Sequence, residues 1–333
     1  MGDTGLVETR VRFAPSPTGS LHIGNALSAV ANRSFGDWLL LRIDDTDSDR
    51  NLPGGEEAIV EDLRWLGIEW DEGPVRQTGR QERYRDTAAR LGGERFGRIT
   101  LLRPGGSATY HLASVVDDID FAITHVIRGH DHRANSQLHG ELHRALGTEP
   151  PEYVLHGLIL GPDGKKLSKR AEGATVASLR AEGLPAESVR AYLDELRLPR
   201  HDVHLDLPRI RRLSVEAIAA MPDPELAGRV AAPPELARAL RGARDLREAR
   251  DFAHQILLPE PVHLPEEARP TLERFKELLN GDARQAVREL KAVGGDLHAV
   301  RLALTGRERG PELWTIVAAL PRAEILRRLD AAL

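Results

Sequence analysis

Two short stretches place cations and hydrogen-bond donors where phosphate chemistry could use them. The first, Ala14-Pro-Ser-Pro-Thr-Gly-Ser-Leu-His-Ile-Gly-Asn-Ala26, runs through prolines and a glycine into a helix, with His22 and Asn25 in its first turn. Residues three apart share one side of a helix, so both can donate to the same anionic oxygens. The helix start adds free N–H groups and the positive end of its dipole, and Gly24 leaves room for a flat base or sugar. The second stretch, Gly164-Lys-Lys-Leu-Ser-Lys-Arg170, gathers four cations in a loop opened by Pro162 and Gly164. Such charges repel one another unless an anion sits among them; a solvated surface run is the alternative. Taken alone, His-x-Gly-x is more often a helix cap than a ligand site.

The elements around these stretches follow from periodicity. Thr9 to Ala14 alternates and stops at the Pro-rich turn, which predicts a strand. Ile23, Ala26, Leu27 and Val30 then make one apolar stripe, a helix for which Ser20 is the expected N-cap. Trp38 to Ile43 reads as a strand buried on both faces. Helices are expected over Glu56–Leu66, Gln81–Leu91 and Asn135–Leu146, and strands at Thr124–Ile127 and Tyr153–Leu160. The alternation predicts an α/β fold with a Rossmann-like, doubly wound parallel sheet. Beyond Arg170 the pattern turns to Ala-, Leu- and Arg-rich helical segments broken by prolines, an all-α C-terminal region. The expected domains are residues 1–197 and 198–333, with Leu198 to Pro208 as linker.

At 333 residues the chain can bury two cores, and its formal charge of -5 is not concentrated in a basic tail. A nucleic-acid partner would have to be met by a local arginine face. Arg241, Arg244, Arg247 and Arg250 could form one; a helix exterior paired with Asp245, Glu248 and Asp251 is equally open. Cysteine is absent, which excludes disulfides and thiolate zinc sites. No apolar run is long enough to span a membrane, so a soluble, cytoplasmic chain is expected.

Together with the Pro-Ser-Pro-Thr-Gly turn, His22-Ile-Gly-Asn25 and Lys166-Leu-Ser-Lys-Arg170 resemble the two signature motifs of class I aminoacyl-tRNA synthetases. Five further ordered blocks resemble glutamyl-tRNA synthetase: Arg12-Phe-Ala-Pro-Ser-Pro-Thr-Gly19, Leu41-Arg-Ile-Asp-Asp-Thr-Asp47, Leu63-Arg-Trp-Leu-Gly67, Thr109-Tyr-His-Leu-Ala-Ser-Val-Val-Asp-Asp118 and Val126-Ile-Arg-Gly129. Arg301-Leu-Ala-Leu-Thr-Gly306 with Gly310-Pro-Glu-Leu313 is similar to the end of that family's anticodon-binding region.

The resemblance implies that the α-carboxylate of L-glutamate attacks the α-phosphorus of ATP, with Mg2+ carried on the phosphates and no zinc. His22, Asn25, Lys166 and Lys169 would then meet charge growing on phosphate oxygens. By the same resemblance Pro17, Thr18, Gly24, Asp131, Lys166, Ser168 and Lys169 bind ATP, while Arg12, Ser16, Asp44, Tyr110, Ser114 and Arg128 bind the amino acid. Arg12, Arg128 and the Tyr110 hydroxyl are the implied clamp for the γ-carboxylate. Asp44 stands where the family has a glutamate, Ser114 where an asparagine is frequent, and His130-Asp131 where an acidic pair is usual.

One part is short. In the family an inserted domain gripping the tRNA acceptor end fills the place of residues 92–108, too few here for a core. The leading expectation is a trimmed, monomeric synthetase that charges a tRNA. The alternative is a tRNA-independent ligase that passes activated glutamate to a small-molecule or protein amine. The related glutamyl-queuosine enzyme fits less well, lacking its cysteine ligands here and gaining a helical region. A non-enzymatic RNA-binding relic would have no use for His22, Lys166 and Lys169.

Overall fold

The computed structural model describes residues 8–167 and 171–333. Strand β1 (Arg10–Phe13) leads through the Pro-rich loop into helix α1 (Ile23–Phe35), which returns the chain to β2 (Trp38–Ile43). Helix α2 (Gly55–Trp65) follows, then β3 (Glu72–Arg76), α3 (Gln81–Arg90), and a hairpin of β4 (Arg95–Phe96) and β5 (Ile99–Thr100). Helix α4 (Tyr110–Asp120), β6 (His125–Gly129), α5 (Arg133–Ala145) and β7 (Glu152–His156) complete the alternation.

The pairings β1–β2, β2–β3 and β6–β7 are all parallel. Beside β1, the Thr124 N–H donates to the Arg10 carbonyl at 2.9 Å, which sets β6 along its other edge. The chain therefore builds outward from β1 in one direction through β2 and β3, and in the other through β6 and β7. Strand order reverses between β1 and β6, where doubly wound sheets place their ligands.

The predicted stripe of α1 is the face that packs: Ile23, Ala26, Leu27 and Val30 are at most 3% exposed. In β2, Leu39, Leu40, Leu41 and Ile43 are buried, and Arg42 with them. The expected cap of α1 is corrected. His22, not Ser20, is the N-cap residue. Ser20 instead donates to Asp62 of α2 at 2.6 Å, which also accepts from Leu21 N–H at 2.8 Å. A buried carboxylate competes better for that hydroxyl than a helix end does, because its charge strengthens the bond.

By compactness the chain divides into Met1–Ala181 with Val189–Leu207, and Glu182–Ser188 with Pro208–Leu333. The division thus lies ten residues beyond the expected one at 197/198. Inside the expected linker, β9 (Val203–His204) pairs in parallel with β8 (Ile159–Leu160), which ties that segment to the sheet-bearing unit.

The other unit is helical, from Leu207–Ala220 to Arg322–Ala331. Its core includes Phe252, Ile256, Leu272, Phe275, Val300, Leu304, Ile316 and Leu329. Asp245 caps the helix Leu246–Leu257, so the four-arginine row is cut at its middle and shares no continuous helix face. Arg241 pairs with Asp223, and Arg244 with Glu248 at 2.8 Å.

Candidate active site

The carboxyl ends of β1 and β6 open onto a cavity of about 490 Å³. The two motifs meet on its wall. His22 takes extended φ/ψ of −64° and 144° as the cap of α1, and its Nδ1 accepts from Gly24 N–H at 3.3 Å. Its Nε2 lies 2.8 Å from the Leu167 carbonyl, which can only accept, so the ring proton sits on Nε2. Backbone bridges seal the junction: His22 pairs with Thr175, and Ile23 N–H donates to the Ala174 carbonyl at 2.9 Å. Asn25 and Gly24 line the same wall. Gly55 shapes the loop ahead of it, since a side chain there would stand 2.3 Å from the Pro17 carbonyl oxygen.

Lys166 also lines the cavity, its Nζ 2.8 Å from Asp131. Burial pushes the Asp131 carboxyl up, but the Lys166 hydrogen bond and the His132 and Lys166 charges hold it below its ordinary value. Ser168 and Lys169 lie outside the described residues.

Next to the cavity-lining Asp44 and Arg12 sits a charged knot. Arg42 is wholly buried and donates to Asp44 at 2.7 and 3.2 Å, to Asp118 at 3.1 Å and to Ser114 Oγ at 3.3 Å. Arg12 joins through Asp118 at 3.3 Å. Asp117 takes Gln77, Arg80 and Tyr84, so each aspartate of the knot has more than one partner or a paired contact. Burial pushes Asp117 up, against the pull of Arg42 and its hydrogen bonds.

Arg128, at the end of β6, differs. It is 7% exposed, donates to Tyr110 Oη at 3.2 Å and Ser136 Oγ at 2.7 Å, and lies over the Tyr153 ring with Cζ 5.1 Å from its centroid. Its Nε is buried without a partner, and no carboxylate among the described residues pairs with it. Burial and the neighbouring Arg12 charge pull its guanidinium below its ordinary value. A cation in that state favours an incoming anion.

Of the sequence-expected residues, Arg12, Ser16, Thr18, His22, Gly24, Asn25, Asp44, Tyr110, Arg128, Asp131 and Lys166 share the cavity wall. Ser114 and Pro17 do not. Ser114 is fully buried behind Asp44 on Arg42, and Pro17 is turned into the loop, its carbonyl accepting from Leu52 N–H at 2.9 Å. Arg103, Ser28 and His156 also line the cavity. Arg103 belongs to the short 92–108 stretch and donates to the Thr46 carbonyl at 3.1 Å. Its position in a loop gave no periodic cue; Ser28 was readable, lying one turn beyond Gly24.

Comparison with known proteins agrees with this geometry. Residues 8–97 and 93–204 match the family model for tRNA synthetases class I (E and Q), catalytic domain. The match falls into two pieces that overlap at residues 93–97, inside the short stretch. Glutamate–tRNA ligase 1 of Rubrobacter xylanophilus is 34% identical over 97% of both chains, and glutamate–tRNA ligase of Akkermansia muciniphila 31% identical over 96% of this chain and 98% of its own. The first alignment runs to 421 positions, so at least 88 (421 less 333) have no residue of this chain opposite them. A crystal structure of a glutamate tRNA ligase from Elizabethkingia meningosepticum superposes with a TM-score of 0.74, 22% identity and 98% and 99% coverage, which shows the shared fold. Motifs, topology and relatives agree: the chain belongs to the class I tRNA synthetase family, E and Q type.

Proposed function

We propose that this protein activates L-glutamate with ATP and passes it to tRNA, the reaction named for its curated relatives. The observation that carries the reading is Arg128, a buried cation without a carboxylate, bonded to Tyr110 at one end of a cavity whose other end has a helix start and Lys166. The γ-carboxylate of glutamate supplies the missing charge as a planar acceptor for the guanidinium fork. Neutral glutamine would leave that cation uncompensated.

The triphosphate lies against His22, Asn25 and Lys166, with magnesium carried on its oxygens. The glutamate α-carboxylate, left free, attacks the α-phosphorus, and pyrophosphate leaves. The protein's part is positioning and charge stabilisation, so no nucleophilic side chain is required. Arg12 and Asp44 complete the amino-acid side, the first behind the γ-carboxylate and the second toward the amino group.

A second reading is favoured by one observation. Residues 92–108 form only a hairpin of two-residue strands and its flanks, and the alignment to the Rubrobacter relative has at least 88 positions with no residue of this chain opposite them. In that reading tRNA is gripped over a reduced surface, or the acceptor is a small-molecule or protein amine.

Glutamate-dependent ATP–pyrophosphate exchange, run with and without tRNA, tests both. Exchange followed by charged tRNA supports the first reading. Exchange without tRNA and no charged tRNA supports the second. No exchange with any amino acid under either condition overturns the proposal.

A further inference from the structure

Asp62 lies on the buried face of α2 with Ile59 and Leu63, has no exposure to solvent and does not line the cavity. A carboxylate there costs free energy that an apolar side chain of similar size would not, so stability alone does not account for it. What it holds is the chain just ahead of His22. Its Oδ2 accepts from the Ser20 hydroxyl at 2.6 Å and from Leu21 N–H at 2.8 Å.

The same hydroxyl works in two directions. While it donates to Asp62, Ser20 Oγ accepts from Ala177 N–H at 3.0 Å, at the start of helix α6 (Val176–Ala181). From there two segments run zipped together: Val176 N–H donates to the Leu21 carbonyl at 2.9 Å, His22 pairs with Thr175, and Ile23 N–H donates to the Ala174 carbonyl at 2.9 Å. Helix α2 holds the second segment as well. Arg180 of α6 donates to Glu61 at 2.7 Å and places its Nη2 3.5 Å from Asp62 Oδ1, an oxygen that accepts no hydrogen bond among the described residues. His22 stands where these ties cross. Its ring is fixed at Nδ1 by Gly24 N–H and at Nε2 by the Leu167 carbonyl, next in the chain to Lys166.

We infer that Asp62 is a positioning residue: through Ser20 and Leu21 it fixes the backbone at His22 and so holds the His22 ring on the Leu167 carbonyl beside Lys166. The inference rests on the proposed adenylation for its kinetic consequence, and on geometry alone for the state of the ring. With Asp62 in place, His22 and Lys166 are in register before charge grows on phosphate; a loosened turn gives up part of that preorganisation. Ser20 is the joint of the device, since its one hydroxyl links α2 to both segments.

Nitrogen NMR of the His22 ring, assigned by its loss in His22→Ala and recorded without substrates, tests the inference directly. The wild-type ring should carry its proton on Nε2, and Ser20→Ala should move the signals toward a mixture of tautomers. Asp62→Asn should move the same signals; Ser20→Ala, a smaller change at a half-buried residue, decides the matter should the buried substitution fail to fold. In pyrophosphate exchange, Ser20→Ala should lower kcat roughly 10-fold, short of the about 100-fold that a displacement of about 1 Å can bring, with KM for ATP and glutamate within about twofold of the wild type. In a His22→Ala background the same substitution should cost no further rate, because Ser20 acts through that ring. Unchanged His22 signals in folded Ser20→Ala protein overturn the inference whatever the rate does. So does an equal fall of kcat in both backgrounds, which would make Ser20 and Asp62 supports of the fold and not of His22. Wild-type protein without exchange would strike the proposed reaction, and the ring signals would still decide the inference.

Discussion

Arg42 grips both oxygens of Asp44, at 2.7 and 3.2 Å, from a position with no exposure to solvent. Burial opposes the charge on Arg42, and Asp44, Asp118 and Asp117 together overcome it. Asp44 lines the cavity, and the Arg42 bonds to Asp118 and Ser114 hold β2 to α4. Removing one member of a buried ion group leaves its partner uncompensated, at about 3–5 kcal/mol. Asp44→Asn should therefore lower the unfolding free energy by an amount of that order, read from urea titrations. A midpoint equal to that of the wild type would mean that Asp118 and Asp117 suffice for Arg42.

Arg128 and Tyr110 make a graded test of glutamate recognition. Arg128→Ala should raise the glutamate KM by roughly 100-fold or more, the loss expected for a charged hydrogen-bonding partner. Tyr110→Phe removes one neutral hydroxyl and should cost about tenfold. Arg128→Lys should recover only part of the loss, because a lysine cannot offer the planar fork. Steady-state exchange kinetics at varied glutamate decide this; equal KM values across the series would detach Arg128 from substrate.

Lys166 separates catalysis from folding. Its side chain is 73% exposed, so its ion pair with Asp131 contributes under about 1 kcal/mol to stability. Charge stabilisation in the transition state is worth more, on the order of 100- to 1000-fold in rate for one donor. Lys166→Ala should melt within a few degrees of the wild type and lose most of its exchange rate. The same comparison applies to Lys169→Ala. A full rate in either protein would remove that lysine from the mechanism.

Histidines give the fold an acid edge. Burial depresses His111, His132, His139, His143 and His156, with His139 well below its ordinary value and its Nδ1 without a partner. The folded state then binds protons only below the range where the unfolded chain does. Between the unfolded value near 6.5 and the depressed folded values, the unfolded chain holds more protons, so stability is full above about pH 6.5 and falls as pH drops. Each such group adds at most about 1.4 kcal/mol per pH unit to the slope. His139→Leu should flatten the decline seen in denaturant midpoints from about pH 7 to 5. A slope identical to that of the wild type would assign the decline to other groups.

Local elements and the chemical class of the site were already legible in the amino-acid order. The apolar stripe of α1, the continuous run of β2 and the alternation of strands with helices are near-neighbour patterns, and the structure keeps them to within one or two residues where the periodicity is strong. The first motif was legible for the same reason, since His22 and Asn25 are related by one helical turn.

Which groups meet across long separations became visible in the fold alone. Asp62 takes Ser20 from the helix cap, Arg42 claims Ser114 and Asp44 for a buried knot, and Val203–His204 turns an expected linker into a strand. The partner is distant in sequence or acts through burial, and where it is a buried carboxylate or guanidinium its charged hydrogen bonds outweigh local propensity. The union of His22 with the Leu167 carbonyl, 145 residues apart, is of this kind, and it is what makes one cavity from two motifs.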